Sequence, residues 1–228
     1  MLDNSYFLCY YIPMPRSARI VIPGIPHHIT QRGNDRQVIF FDDADRFVYI
    51  DLLKEQAREH RLIVLGYCLM SNHTHHVGVP EREDSLANAV GMAHYKYTLY
   101  FNQRYQHSGH LWQERFYSCP LDDVHTNAAL CYIDRNAVRA KLCERAWEYP
   151  WSSAWAHVNG TDPSGLLDMD KWKEYTSLSD WQARLSLPED NALINCIRTA
   201  TQFGHPLGSK EFIRQIAMQT GRSFPIPR

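Results

Sequence analysis

His73-Thr74-His75 is the segment whose residue types and spacing most directly suggest chemistry. On an extended strand, residues two apart project from one face, so the two imidazoles would stand side by side. Such a pair is half of a divalent-cation site. Two strand histidines can equally serve the fold alone, with their hydrogen bonds satisfied locally. His76 would point to the other face. The second segment is Tyr132-Ile133-Asp134-Arg135-Asn136. On a helix, Tyr132 and Asn136 are four apart and share a face. A phenol becomes a nucleophile once its proton is removed or its charge compensated. An amide oxygen can complete a cation's ligand set. The same spacing also suits a tyrosine that packs its ring and an asparagine that bonds nearby backbone. Arg139, seven residues beyond Tyr132, returns to nearly the same helical face.

These side chains need a strand and a helix to carry them. His27–Gln31 reads as a short strand, followed by a turn at Arg32-Gly33-Asn34. Asp43–His60 reads as a helix: acids open it, and Phe47, Ile50, Leu53 and Ala57 recur at three-to-four spacing. Leu62–Met70 and His73–Val79 flank the Ser71-Asn72 turn and read as a hairpin. Ser85 can cap a long helix to about Tyr105. Leu111–Leu121 reads as a strand, and a helix capped by Asp122 or Asp123 runs to about Leu142. The order is β-α-β-β-α-β with one more helix behind it. It predicts an α+β fold: a ferredoxin-like core, an additional helix carrying Tyr132, and a small helical tail over Ala192–Thr201 and Lys210–Thr220.

The 228 residues carry a formal net charge of -1, with 44% hydrophobic and 21% charged residues, which argues against wholesale disorder. Neutrality hides an uneven pattern. Residues 14–37 hold four Arg against one Asp. Residues 161–190 hold seven acids against three bases. Residues 191–228 hold five bases against one acid. The shift predicts an extension over residues 1–13, a main domain over 14–158, an acidic connector over 159–190 and a basic helical tail over 191–228. That tail suits a DNA-binding module or a packing appendage. No apolar run is long enough for a membrane span. Six scattered cysteines without a C-x-x-C pair disfavour zinc knuckles and thioredoxin-like sites, and suit reduced cytoplasmic thiols. No Gly-rich phosphate loop is present.

Several blocks together resemble a known family: Met14-Pro15-Arg16; His28 through Asn34; Leu69-Met70-Ser71-Asn72-His73-Thr74-His75; Ser108 through Phe116; Tyr132 through Ala140; and Tyr149-Pro150-Trp151-Ser152-Ser153. In this order, over roughly residues 14–156, the chain resembles the single-tyrosine HUH transposases, and within them the REP-associated tyrosine transposases. The resemblance implies that His73 and His75 are the metal-binding pair, that Asn136 supplies a third ligand to Mg²⁺ or Mn²⁺, and that Tyr132 is the nucleophile. Thr74 and Ala137 depart from the family pattern, which usually has a bulky apolar residue and a proline there. Neither departure removes a reacting group.

The implied substrate is single-stranded DNA with palindromic hairpins, nicked and rejoined through a 5′-phosphotyrosine, in the cytoplasm beside the nucleoid. Candidate DNA-binding residues are Arg16, Arg19, Arg32, Asn34, Arg36, Lys96, Arg104, Trp112, Arg115 and Arg139, which supply cations and stacking faces. His94, His107 and His110 read as groove-lining or surface residues, more often surface. The alternatives are a non-catalytic hairpin binder on the same fold and a metallohydrolase releasing its product to water. Length and the appended tail favour a monomer over a homodimer.

Overall fold

A computed structural model describes residues 18–176 and 180–225. The expected extension over residues 1–13 and the candidate Arg16 lie outside the described residues. Four strands form one antiparallel sheet: β1 His27–Arg32, β2 Leu62–Met70, β3 His73–Pro80 and β4 Tyr117–Pro120, in the order β2-β3-β1-β4. The long helices are α1 Asp43–Glu59 and α2 Ser85–Tyr105. Next comes α3 Asp123–Asp134, followed by the short α4 Asn136–Arg139, α5 Ala154–Asn159, α6 Met169–Lys173 and α7 Trp181–Ser186. The described chain closes with α8 Asn191–Phe203 and α9 Lys210–Thr220. This is the split β-α-β arrangement expected from the order of elements.

Two apolar layers sandwich the sheet. Strand alternation sends Ile29, Tyr67 and Leu69 to one face, where α1 and α2 cover them with Tyr49, Leu53 and Tyr97. Cys68, Val77 and Cys119 face the other way, under Ala129 and Ile133 of α3 and Ile197 of α8. Trp172 of α6 and Trp181 of α7 belong to this second layer and are fully buried. The charge shift near residue 160 is therefore not a break in packing. Most acidic side chains there face water, while the tryptophans between them extend the second layer. Among the described residues no helix is long and apolar enough to cross a membrane.

Two elements differ from expectation. The strand expected over Leu111–Leu121 is reduced to Tyr117–Pro120, because the residues before it leave the sheet to pack Leu111 and Trp112 against α2. The helix expected to run from Asp122 to Leu142 breaks at Arg135, whose φ of -85 and ψ of 2 separate α3 from α4. Asp122 does cap it, accepting from His125 N. Below the break, fully buried Asp134 accepts hydrogen bonds from Ser153 Oγ (2.6 Å) and Trp181 Nε1 (2.9 Å) and meets His157 Nδ1 at 2.7 Å. Those contacts tie the end of α3 to α5 and α7, two residues from Tyr132.

Candidate active site

Antiparallel register builds the floor of the site. Met70 pairs with His73 across the β2–β3 hairpin, and Thr30 and Arg32 of β1 pair with His75 and His73. Directly paired residues share a face, so His73, His75, Arg32, Thr30 and His28 all rise on the α3 side. They open into a cavity of about 630 Å³, also lined by Tyr132, Asn136, Arg139 and Arg198. The His73 and His75 rings stand 5.1 Å apart at 79°. The Tyr132 ring sits 5.6 Å from His75 and 5.7 Å from His28, edge-on to both. Tyrosine and histidine pair thus meet within one chain.

Each histidine of the pair is held by its Nδ1. His73 Nδ1 donates to Asn72 Oδ1 at 2.7 Å, and Asn72 Nδ2 donates to the Arg36 carbonyl at 3.1 Å. The second bond fixes which way the Asn72 amide faces, so the His73 proton is on Nδ1 and Nε2 carries the lone pair. His75 Nδ1 lies 3.1 Å from His28 Nε2, and His28 Nδ1 lies 2.7 Å from Thr201 Oγ1 on α8. Burial pushes His73 down to about 4, with Arg32 adding to the shift, and drives His75 well below its usual value. Both rings are neutral near pH 7, the state a cation requires. Among the described residues no three His, Cys, Asp or Glu cluster as a ready-made cation cage.

The tyrosine has two arginine neighbours. Arg139 donates to the Tyr132 carbonyl (2.8 Å) and to Asn136 Oδ1 (3.1 Å), and its guanidinium lies 4.4 Å from the Tyr132 ring centre. Glu189 pairs with Arg139 from the segment before α8. Arg198 Nε approaches the Tyr132 hydroxyl at 3.4 Å. Asn136 borders the cavity, and its Nδ2 is buried beside the Cys68 thiol.

The remaining sequence candidates are dispersed. Arg32 reaches the cavity. Asn34 and Arg36 form the exposed turn beyond β1, where the Arg36 carbonyl steadies Asn72. Lys96 pairs with Glu55 at 2.8 Å in the α1–α2 layer, on the far face of the sheet. Arg104 binds Asp42 and Asp45 at the start of α1. Trp112 donates to the His94 carbonyl at 3.0 Å and stacks on the His94 ring at 4.2 Å. His94 is buried there rather than at the surface, with its pKa well below the usual value through burial. His76 also faces this layer, 3.0 Å from the Tyr49 hydroxyl.

Arg19 and Arg115 border a second groove of about 600 Å³, which meets the first at Tyr117, Thr201 and Gln202. Phe203, His205, Arg222 and Phe224 line its other wall. Arg19 stacks 3.4 Å over Phe116 and donates to the Phe116 carbonyl. Burial and the nearby Arg115 lower its pKa to about 10.

Comparison with known families matches residues 22–136 to the model of the IS200-like transposases. The match spans half of the sequence and ends on Asn136. The chain belongs to that family. Among solved structures, a REP-associated tyrosine transposase bound to a REP hairpin superposes with a TM-score of 0.53 at 16% identity. The superposition covers 67% of this chain and 90% of that one, and it establishes a shared fold. No curated protein matches.

Three residues around this transposase's cavity escape a reading of its sequence: His28, Arg198 and Thr201. For His28 a signal exists. Two residues before Thr30 on a strand, it shares a face with whatever Thr30 faces. For Arg198 and Thr201 there is none, because only the packing of α8 over β4 and β1 brings them in.

Proposed function

We propose that this transposase is a metal-dependent single-stranded DNA nickase and strand transferase acting on hairpins through a 5′-phosphotyrosine. One observation carries the reading: the Tyr132 hydroxyl and two neutral imidazoles share one cavity. Nε2 of His73 and of His75 would hold a divalent cation, Mg²⁺ or Mn²⁺, with Asn136 Oδ1 as a further ligand. Two neutral nitrogens, an amide oxygen and no carboxylate fit a cation that keeps its charge for a phosphate. When bound, that cation supplies Lewis-acid charge to a phosphate oxygen.

The protein's own groups do the rest. Tyr132 Oη attacks phosphorus, forming a P–O bond as the bond to the 3′-oxygen breaks. The phenol loses its proton and the departing oxygen gains one, leaving a free 3′-hydroxyl. Arg198, close to the phenol oxygen, stabilises negative charge as it develops there. Arg139 holds the Tyr132 backbone and ring so that the phenol stays over the histidines. Attack by the same or another 3′-hydroxyl reverses the step, and the ester conserves the energy of the broken link. Arg32 at the cavity rim supplies phosphate contacts. The adjoining groove, with Arg19, Arg115, Arg222 and exposed Phe203, combines cations with stacking faces, as single strands require. The hairpin held by the structural neighbour supports hairpins as substrate.

The test is incubation with end-labelled single-stranded palindromes and Mg²⁺ or Mn²⁺, followed by denaturing electrophoresis. The expected result is a denaturation-resistant protein–DNA adduct that Tyr132→Phe abolishes. An adduct that survives Tyr132→Phe refutes the nucleophile. Binding without cleavage, across metals and hairpins, points to a hairpin binder on this fold.

A further inference from the structure

Helix α8 lies outside the stretch that matches the family, yet it walls the cavity that holds the histidine pair. We propose that α8 completes the metal site, with Thr201 acting through His28 as the positioning residue that presents the His75 Nε2 lone pair. The inference rests on the reading of His73 and His75 as cation ligands.

The argument is a count of protons. A threonine hydroxyl has one proton and two lone pairs. The Ile197 carbonyl lies 2.7 Å from Thr201 Oγ1 and can only accept, so it takes the proton. Thr201 Oγ1 is then an acceptor toward its other neighbours, Cys119 Sγ at 3.2 Å and His28 Nδ1 at 2.7 Å. His28 must therefore carry its proton on Nδ1. The ring is buried and meets no carboxylate, so it is neutral and its Nε2 is a lone pair. That lone pair faces His75 Nδ1 at 3.1 Å, so His75 donates from Nδ1. With its one proton committed there, His75 Nε2 is bare. The two rings are nearly coplanar, with centres 5.3 Å apart at 10°, the arrangement an in-plane N–H···N bond requires. Reversing the first bond would reverse every bond after it, and His75 would then carry its proton on the atom a metal needs. His73 reaches the same state through Asn72, independently of α8.

Thr201→Val keeps the shape of the side chain and removes the acceptor. The His28 proton then gains by moving to Nε2, where it donates to His75 and forces the His75 proton to Nε2. Calorimetric titration with MnCl₂ reads the consequence without DNA or turnover. Wild type should bind, His75→Ala should not, Thr201→Val should bind at least about tenfold more weakly, and Thr201→Ser should recover most of the loss. Thr201→Val binding as wild type overturns the inference and leaves the metal site standing. Wild type that ignores Mn²⁺, or His75→Ala that still binds it, overturns the metal reading and the inference together. Nitrogen NMR of wild type labelled with ¹⁵N-histidine decides the matter even where Thr201→Val does not fold. It should find His28 and His75 both protonated on Nδ1, and Nε2 protonation of either refutes the relay.

Discussion

The smallest scale at which this molecule can be tested is the proton on each imidazole. Asn72 bonds His73 on one side and the Arg36 carbonyl on the other, so it transmits the geometry of the exposed turn after β1 to a candidate ligand. Replacing an outer partner of this kind typically weakens metal binding about 10- to 100-fold. Asn72→Ala should do so, measured by Mn²⁺ titration, with little change in melting. Arg198 is a different kind of residue, because it meets Tyr132 and not the histidines. Losing a charged hydrogen bond to a developing oxyanion costs about 1.5–3 kcal/mol. Arg198→Ala should slow single-turnover nicking by about tenfold or more while Mn²⁺ affinity stays as in wild type. A parallel loss of metal affinity would place Arg198 in the wrong role.

Elements are where the sequence was most and least legible. α1, β2, β3 and α2 stand where the sequence places them, although Ser85 is the first residue of α2 and not its cap, and Ser209 caps α9 through Phe212 N. α4, α5, α6 and α7 are each six residues or fewer. A helix that short has no full apolar period to read, and it forms because Trp172 and Trp181 have a core to enter. The break at Arg135 is equally invisible, since Asp134 ends α3 through partners far along the chain. Among the site residues, His73, His75, Tyr132, Asn136, Arg139 and Arg32 reach one cavity, whereas Lys96 and Arg104 are engaged by acids elsewhere. Charge alone does not say which face of a helix an arginine serves. One glycine sets how closely α3 approaches the sheet. At the irregularity in β2, a Cβ on Gly66 would lie 2.9 Å from Leu130 Cδ2 and 3.0 Å from Ile133 Cδ1. Gly66→Ala should cost about 1–3 kcal/mol of stability. It should also lower nicking well beyond that loss, because the α3 turn it displaces carries Tyr132. Stability loss with a wild-type nicking rate would argue against this coupling.

The whole molecule responds to pH through the histidines it buries. Burial pushes His27 down to about 4 and His28 and His76 to about 3, and takes His94 well below its usual value. In the unfolded chain the same rings take up protons near pH 6.5. Below that value the unfolded state binds more protons than the folded one, so stability is full above about pH 6.5 and falls as pH drops toward 4. Each such ring adds up to about 1.4 kcal/mol per pH unit across that window. Melting temperature should therefore fall steeply between pH 6.5 and 4.5, and a flat profile there would contradict neutral burial. The order of the chain has a consequence of its own. Every strand among the described residues and the tyrosine helix precede α8, and a chain is synthesised from its N-terminus. A nascent chain can therefore present Tyr132 and both histidines before Arg198 and Thr201 have emerged from the ribosome. On the proposed reading, full metal affinity and full nicking rate then wait until α8, the last wall of the cavity, is in place.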